Sequence, residues 1–350
     1  MPSGRRTLSA TDRLAGEPRL FDPLVENAAN RYGLAPERIV DDYWLIRTLH
    51  AWTEAVGSGP VQRRYPNPEL SWEENQVGRF VFGGGTSLSA AWGITERWSE
   101  DIDFALVPSA HASQKHLSQA CAEAFGEAAL ALQASHSVTS KSSVHSFASF
   151  HRQKQQVSRI DVSFKPPDAA PSWTQHETVM SLIGRTADDD LLERYPELGG
   201  FEVEALGPGA TAMDKLLAQT RASAAGDTTL IAERARDVYD LACIALRSER
   251  FEGHIGRDSA DLLHRAELSA CDERSRRPAD GFASLLSFTP GTDEHQALAR
   301  GYEEVMDSMV WGEKMPLSAA IRLAVSLDPG PAEPHELPDP GPHVAYPLTC

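Results

Sequence analysis

From Arg79 to Phe164 the chain switches between short apolar runs and longer stretches with helical spacing. Phe80, Val81 and Phe82 predict a buried strand over 79–82, Gly83-Gly84-Gly85 ends it, and Thr86–Trp92 reads as a helix. Residues 101–107 and 157–164 alternate with the period of two of a strand, 145–151 reads as another strand, and 111–134 has helical spacing. Upstream, Phe21–Tyr32 and Pro36–Val56 predict helices, the second with Ile39, Tyr43, Leu45, Ile46 and Leu49 in one stripe. A Gly/Pro-rich connection fills 57–75. Phe201–Ala205 is a candidate further strand. After Gly207-Pro208-Gly209 the spacing turns helical, with segments near 209–224, 230–248, 256–268, 294–310 and 316–326. This order predicts an α+β chain: a mixed β-sheet core with N-terminal helices over 17–206, then a helical C-terminal domain over 207–327. Residues 1–16 are expected to be disordered, and the proline-rich 328–350 to form a flexible tail.

Composition narrows the partners. The 350 residues carry 33 Lys and Arg against 50 Asp and Glu, a formal net charge of −17, which argues against broad binding to nucleic-acid phosphate. A local basic surface remains open to RNA: Lys141, Arg152, Lys154, Arg159 and Lys165 gather around the middle strands, and Arg274, Arg276 and Arg277 form a second cluster. An ordinary solvated patch explains either cluster as well. Cys121, Cys243, Cys271 and Cys350 form no C-x-x-C pair, so neither a zinc site nor a disulfide framework is suggested. That usage suits a reducing cytosol. The absence of a long apolar run predicts a soluble, cytoplasmic protein with no membrane partner.

The chemistry concentrates in FGGGTSLSAAWGITERWSEDIDF, residues 82–104. A glycine turn that opens a helix lets the backbone approach an anion closely. Gly84 and Gly85, the first N–H groups of the helix and the hydroxyls of Thr86 and Ser87 are candidates for nucleotide phosphate. On the strand that follows, Asp101 and Asp103 project to one face while Ile102 and Phe104 take the other. Neighbouring carboxylates repel unless a cation lies between them, and Mg²⁺ suits one or two carboxylates completed by phosphate oxygens and water. Asp161, in VSRIDVSF, shares a strand face with Val157, Arg159 and Ser163 and would join the acid pair if its strand lies alongside. Ser99 is close enough to the acids to act there, although a turn or capping hydroxyl is its commoner role. A glycine triplet alone is usually a tight turn and an Asp-x-Asp pair alone a solvated strand face. Their conjunction predicts a nucleotide-and-metal site.

GGGTSLS followed by RWSEDIDF resembles the signature of the AbiEii/AbiGii toxin family of nucleotidyltransferases, which includes the MenT-like toxins and lies within the polymerase-beta-like superfamily. The resemblance spans about residues 36–250 and is sharpest over 82–104. It implies a minimal nucleotidyltransferase core with a helical C-terminal half, Mg²⁺ (or Mn²⁺) as cofactor, an NTP as substrate, and a third carboxylate, for which Asp161 is the candidate. It also implies a later lysine and aspartate, which fall on Lys215 in TAMDKLLAQ and Asp237 in ERARDVYDLACIAL. Lysine would hold triphosphate as a point charge, and Asp237 would accept a hydrogen bond or activate the incoming hydroxyl. The plainer alternative is weak pairing at helical spacing, Arg234 with Asp237 or Arg236 with Asp240.

The leading expectation is therefore a Mg²⁺-dependent nucleotidyltransferase toxin of a toxin–antitoxin or abortive-infection system. It would transfer a nucleoside monophosphate to an RNA acceptor, plausibly the tRNA 3′ end, and block translation, with a cognate antitoxin as a possible partner. An aminoglycoside-type enzyme acting on a small molecule is the nearest alternative, and a non-catalytic nucleotide-binding module the second. There is no G-x-x-x-x-G-K-[ST] loop, and the glycine run lacks the last glycine of G-x-G-x-x-G.

Overall fold

The computed structural model describes residues 13–57, 59–63, 65–142, 145–164, 174–247, 249 and 290–327. Two helices, α1 (Pro18–Tyr32) and α2 (Pro36–Val56), open the chain. Each has proline in its first turn, where the missing N–H costs nothing, and Gly33 closes α1 in the left-handed conformation. Then follow β1 (Val61–Gln62), β2 (Gln76–Gly83), α3 (Gly84–Ala90), β3 (Ile102–Pro108), α4 (Gln114–Ala131), β4 (Ser135–Ser142), β5 (His145–Arg152), β6 (Gln155–Phe164), β7 (Thr174–Val179), α5 (Asp189–Arg194) and β8 (Phe201–Leu206). Helices α6 (Pro208–Ala225), α7 (Thr228–Glu233), α8 (Ala235–Leu246), α9 (Asp293–Ser308) and α10 (Leu317–Val325) complete the described chain. It is an α+β protein with helical N- and C-terminal parts.

Among the described residues the strands form one eight-stranded mixed sheet in the order β4-β5-β6-β3-β2-β8-β7, with β1 paired to β2. The β3–β6 and β2–β8 pairs are parallel, and β4–β5 and β5–β6 antiparallel. One side of this sheet is a packed aromatic core. Trp52 of α2, fully buried, lies 5.1 Å from Phe80, 5.2 Å from Phe104 and 5.1 Å from Phe125 of α4, ring centre to ring centre. On the same side Thr48 Oγ1 meets Ser158 Oγ at 2.6 Å. Burying each large apolar side chain here stabilises by roughly 1.5–3 kcal/mol. Strand period therefore turns Asp103, and Arg159 and Asp161 of β6, to the opposite side.

Two compact units are present. The described residues within Met1–Phe82, Trp98–Lys165 and His176–Ala205 make the first, which carries the sheet; those within Gly83–Arg97, Pro166–Gln175 and Leu206–Cys350 make the second. The glycine turn and α3 thus belong with the helical half, although β2 and β3 flank them in sequence. In the second unit α9 packs on α7 and α8, and α10 on α8. Gly301 makes the α9–α7 approach possible, since a Cβ there would stand 2.3 Å from the Ala232 carbonyl oxygen.

Several expectations need correction. The predicted helix 230–248 is two helices, broken at Arg234 (φ −85°, ψ 0°), whose carbonyl accepts the Gln219 Nε2 hydrogen at 2.7 Å. Strands β4 and β7 and helix α5 fall where no element was expected. Leu14–Gly16, placed in the disordered start, form a 3-10 turn with Leu14 buried and its N–H bonded to Glu197 Oε1 at 3.0 Å. The helix near 256–268, the tail 328–350, Lys165, Arg274, Arg276, Arg277, Cys271 and Cys350 lie outside the described residues, as does the Lys141 side chain. Cys121 and Cys243 are buried free thiols, and burial pushes both up from the ordinary thiol range, Cys243 to about 12. Among the described residues no helix is long and apolar enough to cross a membrane.

Candidate active site

In the first unit the site is a row of carboxylates at the start of β3. The parallel register sets Asp103 directly against Asp161 of β6, and Ile102 against Ile160. Asp101 immediately precedes β3, so Asp101, Asp103 and Asp161 share the sheet side away from Trp52. All three are half-buried. Arg159 donates from Nη2 to Asp161 Oδ2 at 3.1 Å, and its guanidinium lies 5.1 Å from the Phe147 ring centre. Ser99 is buried in the connection ahead of Asp101. Among the described residues no group of three His, Cys, Asp or Glu side chains forms a ready metal cage. A pair of hard carboxylates still fits Mg²⁺, which usually keeps several waters and takes substrate phosphate oxygens as its remaining ligands.

Of the basic candidates, Arg152 stacks 4.6 Å from the Trp44 ring centre. Lys154 sits with Gln153 at the β5–β6 turn, both in the left-handed conformation, and is exposed. Arg159 is committed to Asp161 as well as to Phe147.

In the second unit the glycine turn is built tightly. Gly83 stands at the N-cap of α3 with no side chain capping it, and Gly84 has φ 68°, a conformation that any Cβ would strain. The Ser87 hydroxyl donates to the Gly84 carbonyl at 2.8 Å, so it braces the turn. Thr86, Ser87 and Gly85 are buried. Trp92 Nε1 donates to the Leu206 carbonyl at 2.9 Å and holds the end of this segment.

The same unit contains a buried charge network. Lys215 of α6 sends Nζ to Asp237 Oδ1 at 2.7 Å and to Asp240 Oδ2 at 2.6 Å, both carboxylates being on α8. Arg97 grips Asp240 with two bonds of 2.6 Å, Nε to Oδ1 and Nη2 to Oδ2. Arg97 is 1 % exposed, Asp240 0 %, Asp237 1 % and Lys215 8 %. Burial alone would lower the lysine; Asp237 and Asp240 outweigh it, so the ammonium titrates above the ordinary lysine range. Burial would raise Asp240; Arg97 and Lys215 outweigh that and hold it below the ordinary carboxylate range. Asp237 Oδ2 receives no hydrogen bond from a described residue, and the half-exposed Arg234 guanidinium stands 3.5 Å from it.

Lys215 and Asp237 were thus expected and are brought together. Arg97 and Asp240 were not assigned a role. Of the two helical pairings that were the plainer alternative, Arg234–Asp237 forms, whereas Asp240 points inward to Arg97 and Lys215. One signal was available: Thr211, Lys215, Gln219 and Ser223 recur every four residues along α6, a polar stripe that a solvated face explains equally well. Here Thr211 and Gln219 are 1 % exposed, so that face is buried.

A family model described as nucleotidyl transferase AbiEii toxin, type IV toxin–antitoxin system, matches residues 72–321. A search of curated proteins returned no match. Among solved structures, MenT4, a nucleotidyltransferase toxin from Mycobacterium tuberculosis H37Rv, is similar over 86 % of this chain and 98 % of its own, at 17 % identity and a TM-score of 0.41. That likeness is too loose to transfer residues.

Proposed function

Because the chain belongs to the AbiEii toxin family of type IV toxin–antitoxin systems, and is therefore a nucleotidyltransferase, we propose that it moves a nucleoside monophosphate from an NTP to an RNA hydroxyl, that of the tRNA 3′ end. The observation that carries the reading is the register of Asp103 against Asp161, with Asp101 next to them, which gathers acids where a lone strand face would scatter them. Asp101 and Asp103, with Asp161 beside them, would hold Mg²⁺ or Mn²⁺, and that ion would neutralise the triphosphate and favour departure of pyrophosphate. Gly84 and Gly85, with the hydroxyls of Thr86 and Ser87, bind the nucleotide through the close backbone approach, and Ser99, just ahead of Asp101, is a further candidate for it. Lys215 holds the triphosphate. Asp237 Oδ2 accepts the proton, or the hydrogen bond, of the acceptor hydroxyl. Capping RNA ends in the cytoplasm would block translation, and a cognate antitoxin would restrain it.

The deciding experiment incubates the protein with total tRNA and each α-labelled NTP, in Mg²⁺ or EDTA, beside Asp101→Ala. Labelling that disappears in EDTA and in the variant is expected. Labelling that survives Asp101→Ala defeats the metal assignment, and labelling of aminoglycosides but of no RNA defeats the acceptor. Growth arrest on expression, relieved by Asp101→Ala, checks the toxin role.

A further inference from the structure

An ammonium on a four-carbon stem is ordinarily a mobile charge with three N–H bonds to aim. Lys215 is not mobile in this sense. Two of its N–H bonds are spent on Asp237 Oδ1 and Asp240 Oδ2, and the tetrahedral geometry of nitrogen then fixes the direction of the third. Asp240 can serve as one wall of that socket only because Arg97 holds both of its oxygens, the bidentate fork that fixes a carboxylate in plane as well as in place. Arg97 is anchored in turn by its own backbone: it bridges Val310, and the neighbouring Glu96 carbonyl accepts the Trp311 N–H at 2.9 Å. With Arg97 present the four buried charges sum to zero. Without it, two carboxylates would share one buried ammonium, with only the half-exposed Arg234 beside Asp237 among the described residues, and Lys215 would lose little by staying with them and not turning to a phosphate.

We propose that Arg97 and Asp240 are positioning residues: their pair orients Lys215 so that its third N–H meets the triphosphate and balances the charge that would otherwise hold the lysine back. This rests on the nucleotidyltransferase reading of Lys215.

The test compares wild type, Lys215→Ala, Arg97→Lys and the double variant Arg97→Met with Asp240→Leu. Each is measured by thermal melting, by equilibrium binding of each NTP in Mg²⁺, and by kcat and KM for label transfer to total tRNA. Replacing a buried ion pair by apolar side chains of similar size removes both desolvation costs, so the double variant melts close to wild type. It nevertheless binds NTP about tenfold more weakly, the size of one lost charged hydrogen bond, and its kcat falls about a hundredfold, as for a misplaced reactive group. Arg97→Lys keeps the charge without the fork and should raise KM and lower kcat in the same direction. A double variant with wild-type melting, NTP affinity and kcat overturns the proposal and leaves the pair as structure alone. Should the double variant not fold, wild-type kinetics in Arg97→Lys overturns it instead. Failure of the underlying reading looks different: wild type inert on every NTP, or Lys215→Ala with undiminished transfer. In that event NTP binding by wild type and Arg97→Lys still decides whether the pair orients Lys215.

Discussion

The acids of the sheet and the charges of the helical half are both clusters of ionisable groups, but they are stabilised by different means. Asp101, Asp103 and Asp161 sit half-buried on a sheet face whose other side is packed aromatic core, so water and a bound cation can both reach them. Arg97, Lys215, Asp237 and Asp240 are nearly sealed from water and, Asp237 Oδ2 apart, satisfy one another, two positive and two negative. A charge kept in water tolerates a changing neighbour. A charge taken out of water must keep its partner, because losing one side leaves the other stranded in a medium that solvates it poorly. The sheet acids therefore suit a ligand that comes and goes, whereas the helical network suits a fixed frame around the one group, Lys215, that must be aimed.

The contrast can be broken most directly at Lys215. Lys215→Ala removes the ammonium that Asp237 and Asp240 share, leaving Asp240 to Arg97 and, among the described residues, the buried Asp237 to the half-exposed Arg234 alone, and we expect it to lower unfolding stability by about 3–5 kcal/mol in urea denaturation as well as to abolish transfer. Asp101→Ala or Asp103→Ala should cost transfer about a thousandfold, on the scale of losing electrostatic stabilisation of the transition state, while stability moves by no more than about 0.5 kcal/mol. Equal destabilisation by the two kinds of variant would erase the distinction.

Most of the sheet half could be read from the chain because its signals are local. The run Phe80–Phe82, the glycine break and the alternation of 101–107 and 157–164 each lie within ten residues, and period two put Asp161 on one face with Arg159, although the family resemblance suggested a third carboxylate and only the fold sets β6 beside β3. The helical half hides its logic. Arg97 and Asp240 meet across 143 positions, and on the sequence Asp237 and Asp240 look like the polar edge of any surface helix. Only the family resemblance singled out Lys215 and Asp237, and nothing local separates a buried salt bridge from a solvated one. The break at Arg234 was equally illegible: the carbonyl there is bonded by the Gln219 side chain of another helix, a contact that no local pattern announces. Strand β4 is rich in Ser, His and Thr, and its support comes from pairing with β5, a long-range term that propensity does not carry.

The network should also show in the pH dependence of stability. Lys215 titrates above the ordinary lysine range in the folded state, so its contribution is complete below about pH 10 and is lost as pH rises through the folded value. Asp240 is held below the ordinary carboxylate range, so its contribution is complete above about pH 4 and is lost as pH falls through its folded value. Difference curves between wild type and the Arg97→Met, Asp240→Leu double variant should be flat across that span. They should turn toward the variant beyond it on the acid side and, in so far as the variant frees Lys215, on the alkaline side. A slope in the middle would mean that the charges are not locked together.

Arg159 gives the smallest effect and the sharpest view of the sheet half. Its bond to Asp161 joins two partly exposed groups, 35 % and 26 % by side chain, so Arg159→Gln should cost less than about 1 kcal/mol. The same guanidinium competes with any cation for Asp161 Oδ2. Removing it should therefore lower the Mg²⁺ concentration needed for half-maximal transfer while the maximal rate stays near wild type. If Arg159 instead serves RNA, the KM for tRNA rises and the Mg²⁺ requirement does not move. A large loss of stability would contradict both outcomes, because it would make this pair behave like the buried one in the helices and remove the physical reason for assigning the ligand to the sheet.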